Sequence, residues 1–165
     1  MEERKCRVRV DGETREYPAG TTYQAIAEDY QARYEHQIVL VFAGQNHLQE
    51  LRKRVEKDCE IRFVTTGDAI GHATYKRSMC FLLVKAVHDV AGHDKIERVR
   101  IHFSVDKGYY CTVEGGVKVT EDFLEKVSAR MKELSAEKIR IGKRSVHTDD
   151  AVEMFHRHGM YDKER

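Results

Sequence analysis

One long apolar segment, residues 67–92, constrains the fold of this chain more than any other stretch. Across residues 78–90 its apolar side chains occupy almost the whole circumference of a helix rather than a single stripe. A helix of that kind is usually buried. The segment is too short and too charged at its flanks to cross a bilayer, which takes about 20 consecutive apolar residues. It therefore predicts a buried helix that ends at Gly92, with the second half of the chain packed around it.

The first 66 residues predict a small sheet closed by one helix. Cys6, Val8 and Val10 alternate with charged residues, and the dipeptide at 11–12, Asp-Gly, is the favoured two-residue hairpin turn. A continuous apolar run over 38–42 is typical of a central strand. The predicted elements, in chain order, are a hairpin over 5–17, a helix capped by Thr21 or Thr22, a strand over 38–42, a charged segment anchored by Leu48, Leu51 and Val55, and a strand over 59–64.

After the long helix, the sequence predicts a second hairpin and two helices. Val99, Ile101, Phe103 and Val105 alternate with polar residues, so one face is expected to be core and the other polar. His102 and Ser104 share that polar face. The remaining predictions are a turn at Lys107-Gly108, a returning strand over 109–113, a helix capped by Thr120 with Phe123, Val127, Met131 and Leu134 inward, and a helix from Thr148 with Ala151, Val152 and Phe155 inward.

Net charge and cysteine content exclude few classes of function, and the N-terminal sequence predicts the cellular compartment. The net charge is +1, so there is no bulk electrostatic argument for binding nucleic acid or a membrane surface. The N-terminus lacks the apolar core of a secretory signal, which predicts a cytoplasmic protein. The four cysteines form no CxxC pair, and Cys6, Cys59 and Cys80 sit within apolar patterns. We expect these thiols to be core residues rather than metal or redox ligands.

A candidate pocket lies at the polar start of the long helix. His72 and Lys76, four residues apart, share one helix face, and backbone N–H groups at a helix start favour anions. A lysine with nearby hydroxyls suits an anion or a small polar ligand. The alternative is that these histidines are structural residues in a cleft that binds nothing. The candidate residues are His72, Tyr75, Lys76, His102, Ser104, Lys107, Tyr109 and Tyr110.

Several of these motifs resemble a known family. Residues 5–66, with the VDG of the first hairpin and YPAGTT before the helix, resemble the β-grasp TGS domain of threonyl-tRNA synthetases. Residues 67–160 resemble the second, editing-type domain of those enzymes, also found in alanyl-tRNA synthetases. Three motifs, YKRS at 75–78, KGYYC at 107–111 and GMYDK at 159–163, look more narrowly like the N-terminal region of bacterial uridine-kinase-like nucleoside kinases. The resemblance implies an α+β chain, with a TGS-like domain over 1–66 and an editing-like domain over 67–165.

The departures from these families bear on chemistry. The editing family has HxxxH at the start of its long helix, whereas here His72 is followed by Lys76, whose ammonium has no lone pair for a metal. The Tyr-Tyr-Asp strand of the synthetases becomes YYC at 109–111, and the family's later Cys-x-x-x-His motif would lie beyond Arg165. A phosphate-binding P-loop is also missing, because Glu137 stands where its first glycine is needed. We interpret the chain as an N-terminal fragment without its kinase domain.

These features support three hypotheses. The leading one is a non-catalytic accessory region of a uridine-kinase-like, ATP-dependent nucleoside kinase, which binds a ligand, RNA or its own kinase domain. The alternative is an aminoacyl-tRNA deacylase related to threonyl-tRNA synthetase, with His72 positioning water. The third is a domain that only dimerises or orients the kinase. We expect no catalytic residue, metal or cofactor in this chain, ATP and magnesium being required only by the kinase domain. The expected partners are that domain, tRNA or a small ligand, with homo-oligomers allowed and no membrane.

Overall fold

The computed structural model describes residues 4–44, 46–106, 108–139 and 141–159, apart from the side chain of His93. The chain is an α+β protein, as the resemblance implied. Its strands are β1 (Lys5–Val10), β2 (Glu13–Pro18), β3 (Ile38–Ala43), β4 (His47–Glu50), β5 (Cys59–Thr65), β6 (Ile96–Val105) and β7 (Gly108–Gly115). Its helices are α1 (Tyr23–Tyr30), α2 (Ala69–Ala91), α3 (Glu121–Ala136) and α4 (Thr148–Arg157).

The first five strands form the predicted β-grasp sheet, in the order β2-β1-β5-β3-β4. β1 and β5 pair in parallel, and the other neighbours pair antiparallel. Asp11 and Gly12 both have positive φ, as a tight hairpin turn requires, and the side chain of Thr22 accepts a hydrogen bond from the Ala25 amide. The residues that α1 contributes to the core are Tyr23, Ile26, Ala27 and Tyr30. One layer of sheet and one helix therefore enclose the first core.

Strand β4 is absent from the sequence prediction. It pairs with β3 through four residues, from the Ala43↔His47 pair to the Leu40↔Glu50 pair, and it lies at the edge of the sheet. Its sequence, HLQE, has one apolar residue, and that residue, Leu48, is exposed. An edge strand held by backbone hydrogen bonds needs no apolar alternation, so the pattern that identifies other strands is missing here.

The junction between β5 and α2 is tightly packed. The Asp68 Oδ2 atom accepts hydrogen bonds from the amide and hydroxyl of Thr65, at 2.7 and 3.0 Å. Gly71 lies so close to β5 that a Cβ atom on it would stand 1.9 Å from the Thr65 carbonyl oxygen. The ring of His36 fills the space beside Gly67 in the same way. The first turn of α2 is therefore fixed against the end of β5.

The prediction that α2 is buried was wrong for most of its length. The helix spans Ala69–Ala91 and ends at Gly92, as expected, but only Gly71, Ala86 and Val87 are buried. Phe81 is 59% exposed. Strands β3, β5 and β6 pack most closely against α2, and they cover only part of its circumference. The described residues thus leave much of its apolar surface open to solvent.

An ion-pair cluster ties α2 to α3. Asp89 accepts hydrogen bonds from Lys85, four residues earlier on α2, and from Arg130 of α3, whose Nε lies 3.0 Å away. Burial raises the pKa of Asp89, but the hydrogen bonds from Lys85 and Arg130 outweigh it, so the pKa is lower than in an unfolded chain. Because the pKa is lower in the folded chain, the ionised carboxylate stabilises the fold at pH values above its pKa in the unfolded chain. This stabilisation is lost as the pH falls through the pKa in the folded chain.

We expect Asp89→Asn to reduce the free energy of unfolding at pH 7 by about 1 kcal/mol, because its side chain is 19% exposed and water screens the pairs only in part. Urea unfolding between pH 2 and 7 should show a flatter acid limb for the variant. Asp122→Asn is the matched control, since its i,i+4 pair with Lys126 is largely exposed. An equal loss in both variants would contradict the proposed tie between the helices.

By contacts within the fold, the chain forms two units, residues 1–131 and 132–165. The first contains both sheets, α1, α2 and most of α3, and in it Phe123 and Val127 are buried as predicted. In the second unit α4 begins at Thr148, and its predicted inward residues are half-buried. The predicted domain boundary near residue 66 remains a prediction. Within the described ranges, no helix has the length and apolar character needed to cross a membrane.

The four cysteines are free thiols. Cys6 is buried in the β-grasp core, with Cys59 half-buried and packed against it. Cys80 of α2 and Cys111 of β7 are half-buried as well. The expectation that Cys6 belongs to the core is therefore confirmed.

Candidate functional site

The first turns of α2 present His72 and Lys76 to solvent on one face of the helix. The His72 amide donates to the Asp68 carbonyl oxygen at 2.8 Å, so it belongs to the helix and is not open to a ligand. Tyr75, the third predicted residue here, is half exposed. It lines a separate cleft toward α1 together with Thr74 and Ser78. The helix therefore directs an imidazole and an ammonium one way and the tyrosine another.

Asp68 occupies the position before the first residue of α2. Hydrogen bonds from the Thr65 amide and hydroxyl lower the pKa of its carboxyl group, which is therefore charged at neutral pH. A carboxylate there already supplies the negative charge that a helix N-terminus favours. The predicted attraction of this helix start for an external anion consequently depends on Lys76.

The hairpin of β6 and β7 carries the second group of predicted residues. The His102 Nε2 atom lies 2.8 Å from the hydroxyl oxygen of Thr112, its neighbour across the hairpin. The Tyr110 ring lies 5.3 Å from the His102 ring and is stacked on Phe103 at 5.4 Å between centroids. Ser104 pairs with Tyr109 at the end of the hairpin, and all of these residues except Thr112 are exposed. The result is an open aromatic surface with one imidazole held in place.

The predicted core face of β6 was wrong at its outer end. Phe103 and Val105 are 60% and 55% exposed, whereas Val99 and Ile101 are half-buried. The register shifts between the Ile101↔Cys111 pair and the Ser104↔Tyr109 pair, so His102 and Phe103 both lie opposite Tyr110. Such a bulge interrupts the alternation of faces on which the prediction rested. It also explains how one tyrosine contacts two consecutive residues of β6.

The topology brings both groups to the same end of the α2, β6 and β7 assembly. The chain reverses within residues 92–95 and β6 packs on α2. Burial raises the pKa of Cys111, and the neighbouring Cys80 raises it further, so the middle of α2 lies beside the middle of β7. His72 lies eight residues before Cys80, about 12 Å along the helix. His72 therefore lies toward the end of the assembly at which β6 turns into β7.

Among the described residues, no hydrogen bond or ring contact joins the α2 group directly to the hairpin group. Lys107, the remaining predicted residue, lies outside the described residues. In the part of the chain that the structure describes, no three His, Cys, Asp or Glu side chains come together as a metal site would need. The groups that these described site residues provide are two imidazoles, one ammonium, hydroxyls and aromatic rings.

Sequence reasoning missed two contributors to this surface. Thr112, which fixes the His102 ring, lies in the middle of an alternating strand and gives no motif. The alternation of β6 places Phe103 in the core, whereas in the structure Phe103 lies at the bulge and is exposed. A cleft wall on α1 was also missed, although Gln24 and Glu28 are four residues apart and so share a face.

Comparison with curated proteins finds similarity to threonine–tRNA ligases. The chain is 29% identical over 147 residues to the threonine–tRNA ligase of Thermotoga maritima and 28% identical over 147 residues to that of Porphyromonas gingivalis. It is 27% identical over 149 residues to the threonine–tRNA ligase of Francisella philomiragia. These alignments cover 88% to 90% of this chain. No protein-family model matches it.

The matched segment is a small part of each relative. The alignments cover 22% of the Thermotoga and Porphyromonas enzymes and 23% of the Francisella enzyme. The chain therefore spans about a fifth of the length of the curated relatives it matches. The similarity agrees with the α+β fold and with the synthetase side of the resemblance, since these three relatives are tRNA ligases and not nucleoside kinases.

Proposed function

We propose that this chain is an editing-type domain that hydrolyses the ester bond of aminoacyl-tRNA. The observation that carries the proposal is the similarity to threonine–tRNA ligases along 88% of the chain, through both the β-grasp sheet and the α2, β6 and β7 assembly. These relatives are named for joining threonine to its tRNA. The proposal transfers to this chain only the contact with aminoacyl-tRNA, because the chain matches 22% of such an enzyme.

The exposed groups suit that chemistry. Water attacks the carbonyl carbon of the ester that joins the amino acid to the terminal ribose. The His72 imidazole accepts a proton from the water and returns it to the ribose oxygen as the carbon–oxygen bond breaks, which releases free amino acid and uncharged tRNA. Imidazole is suited to this role because one ring nitrogen of its neutral form accepts a proton while the other donates one. Lys76, one turn along the same face, supplies a cation to stabilise the negative charge on the carbonyl oxygen.

The hairpin surface suits the terminal nucleotide. Single-stranded ends of RNA are bound by stacking their bases on exposed aromatic rings. Tyr109, Tyr110 and Phe103 provide such rings beside His102, whose orientation Thr112 fixes. The overall charge of +1 means that this local surface, rather than the whole protein, has to provide the affinity.

The test is hydrolysis of a panel of purified, mischarged aminoacyl-tRNAs by the 165-residue chain, with the same samples incubated without protein. We expect at least one member of the panel to be deacylated about 100-fold faster than it is spontaneously, which is the smaller contribution typical of a positioned acid–base group. Addition of a chelator should leave the rate unchanged, since the proposed step uses Lys76 in place of a metal. Spontaneous rates across the whole panel would overturn the proposal.

A second candidate is a non-catalytic accessory region of a uridine-kinase-like nucleoside kinase. The kinase part of this candidate rests on the resemblance of the three sequence motifs alone. The absence of turnover is favoured by Lys76 and Cys111, which by that resemblance replace residues of the editing family. In that case the chain would bind tRNA, a ligand or a kinase domain without turnover. Tight binding of aminoacyl-tRNA with an intact ester bond would support this candidate over the deacylase.

A further inference from the structure

A cleft between α1 and α2 is distinct from the surface described above. It has a volume of about 340 Å³. Its floor is apolar and includes Ile38 and Leu51. One wall is the face of α1 that carries Gln24 and Glu28, and the other is the face of α2 that carries Tyr75 and Ser78. An apolar floor with a few polar groups on its walls is the usual composition of a small-molecule site.

Several open polar atoms of the cleft are hydrogen-bond acceptors. Ser78 donates its hydroxyl proton to the Thr74 carbonyl oxygen at 3.1 Å, which leaves its lone pairs toward solvent. The Gln31 side chain donates to the His36 carbonyl oxygen, and the Gln37 amide donates to Gln31 at 2.8 Å. Each of these side-chain amides therefore uses at least one of its two N–H groups within the protein. A ligand that carries N–H or O–H groups can therefore donate to the free lone pairs of Ser78 and to the carboxylate of Glu28.

Among the described residues that line the cleft, Glu28 alone carries a charged side chain. From the described residues its carboxylate receives one hydrogen bond, donated by the Gln24 side-chain amide at 3.3 Å. A carboxylate can accept about four, so most of its capacity faces the cleft and the solvent. Arg77 is nearby on α2, but its guanidinium contacts Thr74 at 3.4 Å and it is not a lining residue. The cleft is therefore complementary to positive charge.

The walls of the cleft are held apart by the protein itself. α2 is fixed to β5 by Asp68 and by the close packing of Gly71 against Thr65. α1 is fixed to the floor, because the backbone amide of Gln24 donates a hydrogen bond to the Leu51 carbonyl oxygen at 2.8 Å. A cleft that exists before the ligand arrives loses little free energy to ordering on binding.

We propose that this cleft binds a small organic cation that carries several N–H donors, of the amidine, guanidine or primary-amine class. Its charged end pairs with Glu28, and its flat or alkyl part lies between Tyr75 and the Ile38–Leu51 floor. The ring of Tyr75 adds an attraction for the cation through its negative face. This site is independent of His72, and it stands or fails separately from the proposed hydrolysis.

Benzamidine and benzamide are the probes, since they share one shape and differ in charge and in the number of donors. We expect a titration of the ¹⁵N-labelled chain with benzamidine to shift the side-chain amides of Gln24 and Gln37 and the backbone amides around Ser78. Benzamide should bind at least about tenfold more weakly, the size of effect expected for one charge-assisted hydrogen bond. Glu28→Gln should reduce benzamidine affinity to that of benzamide.

Glu56→Gln is the matched control, because Glu56 is an exposed carboxylate of the same unit that does not line the cleft. It should leave benzamidine affinity unchanged. Ser78→Phe, which keeps Glu28 but fills the cleft, should also abolish the shifts, and this separates site binding from general attraction of a cation to a carboxylate. Equal affinity of the two probes, or unchanged benzamidine binding in Glu28→Gln, would overturn the proposal.

Discussion

Replacing His72 with alanine should lower the rate of aminoacyl-tRNA hydrolysis by a factor of about 10², to near the spontaneous rate, because that is the smaller contribution typical of a general acid–base group. The side chain is exposed on the first turns of α2 and makes no hydrogen bond to another described residue, so its removal should leave the fold intact. The measurement is the single-turnover rate of ester hydrolysis at saturating protein, which separates the chemical step from tRNA binding.

His47→Ala is the control for this experiment. His47 is an exposed histidine at the start of β4 and is not one of the candidate site residues, so its replacement should not change the rate. Thermal unfolding should give the same midpoint for both variants and the parent chain. If His72→Ala retains the parent rate while hydrolysis itself is confirmed, the base is another group, and His102 becomes the next residue to replace.

Gly71→Ala should cost about 3 kcal/mol of unfolding free energy, despite the better helix propensity of alanine. The added Cβ would stand 1.9 Å from the Thr65 carbonyl oxygen, 2.7 Å from its carbonyl carbon and 3.1 Å from a methyl group of Val39. Two of these three atoms are backbone, so no change of rotamer relieves the overlap. Either α2 moves off the end of β5 or the strand end distorts.

Urea unfolding followed by circular dichroism measures this loss as a lower midpoint. Gly116→Ala is the matched control, since its nearest neighbour would be the Lys95 carbonyl oxygen at 4.0 Å and its φ is not positive. We expect that control to lie within about 0.5 kcal/mol of the parent chain. A Gly71→Ala variant as stable as the control would show that the junction yields at little cost.

Local sequence signals predicted most of the secondary structure. The Asp-Gly turn, the Thr22 cap and the apolar spacing of α1 each act over a few residues, and each is present as expected. Strand β4 was missed because its pairing depends on the neighbouring backbone and not on its own side chains. The burial of α2 was overestimated, because an apolar circumference indicates that a helix tends to be covered but not how much chain there is to cover it.

The candidate site was predicted less completely, for geometric reasons. Helical spacing correctly placed His72 and Lys76 on one face. Tyr75 precedes Lys76 by one residue and is therefore rotated by about 100° around the helix, which directs it to the cleft beside α1. The bulge at His102 and Phe103 changes which side chains meet Tyr110, and no local pattern in the sequence signals it.

The parallel pairing of β1 with β5 determines when the first sheet can be completed during synthesis. Val8 pairs with Cys59 and Val10 with Ile61, so β1 cannot pair with β5 until about 50 more residues have been synthesised. At ribosomal rates of about 5–20 residues per second, that interval lasts roughly 3–10 s. The hairpins of β1 with β2 and of β3 with β4 involve only near neighbours in sequence. β5 joins them at the centre of the sheet, and the nascent chain carries two unjoined halves until it emerges.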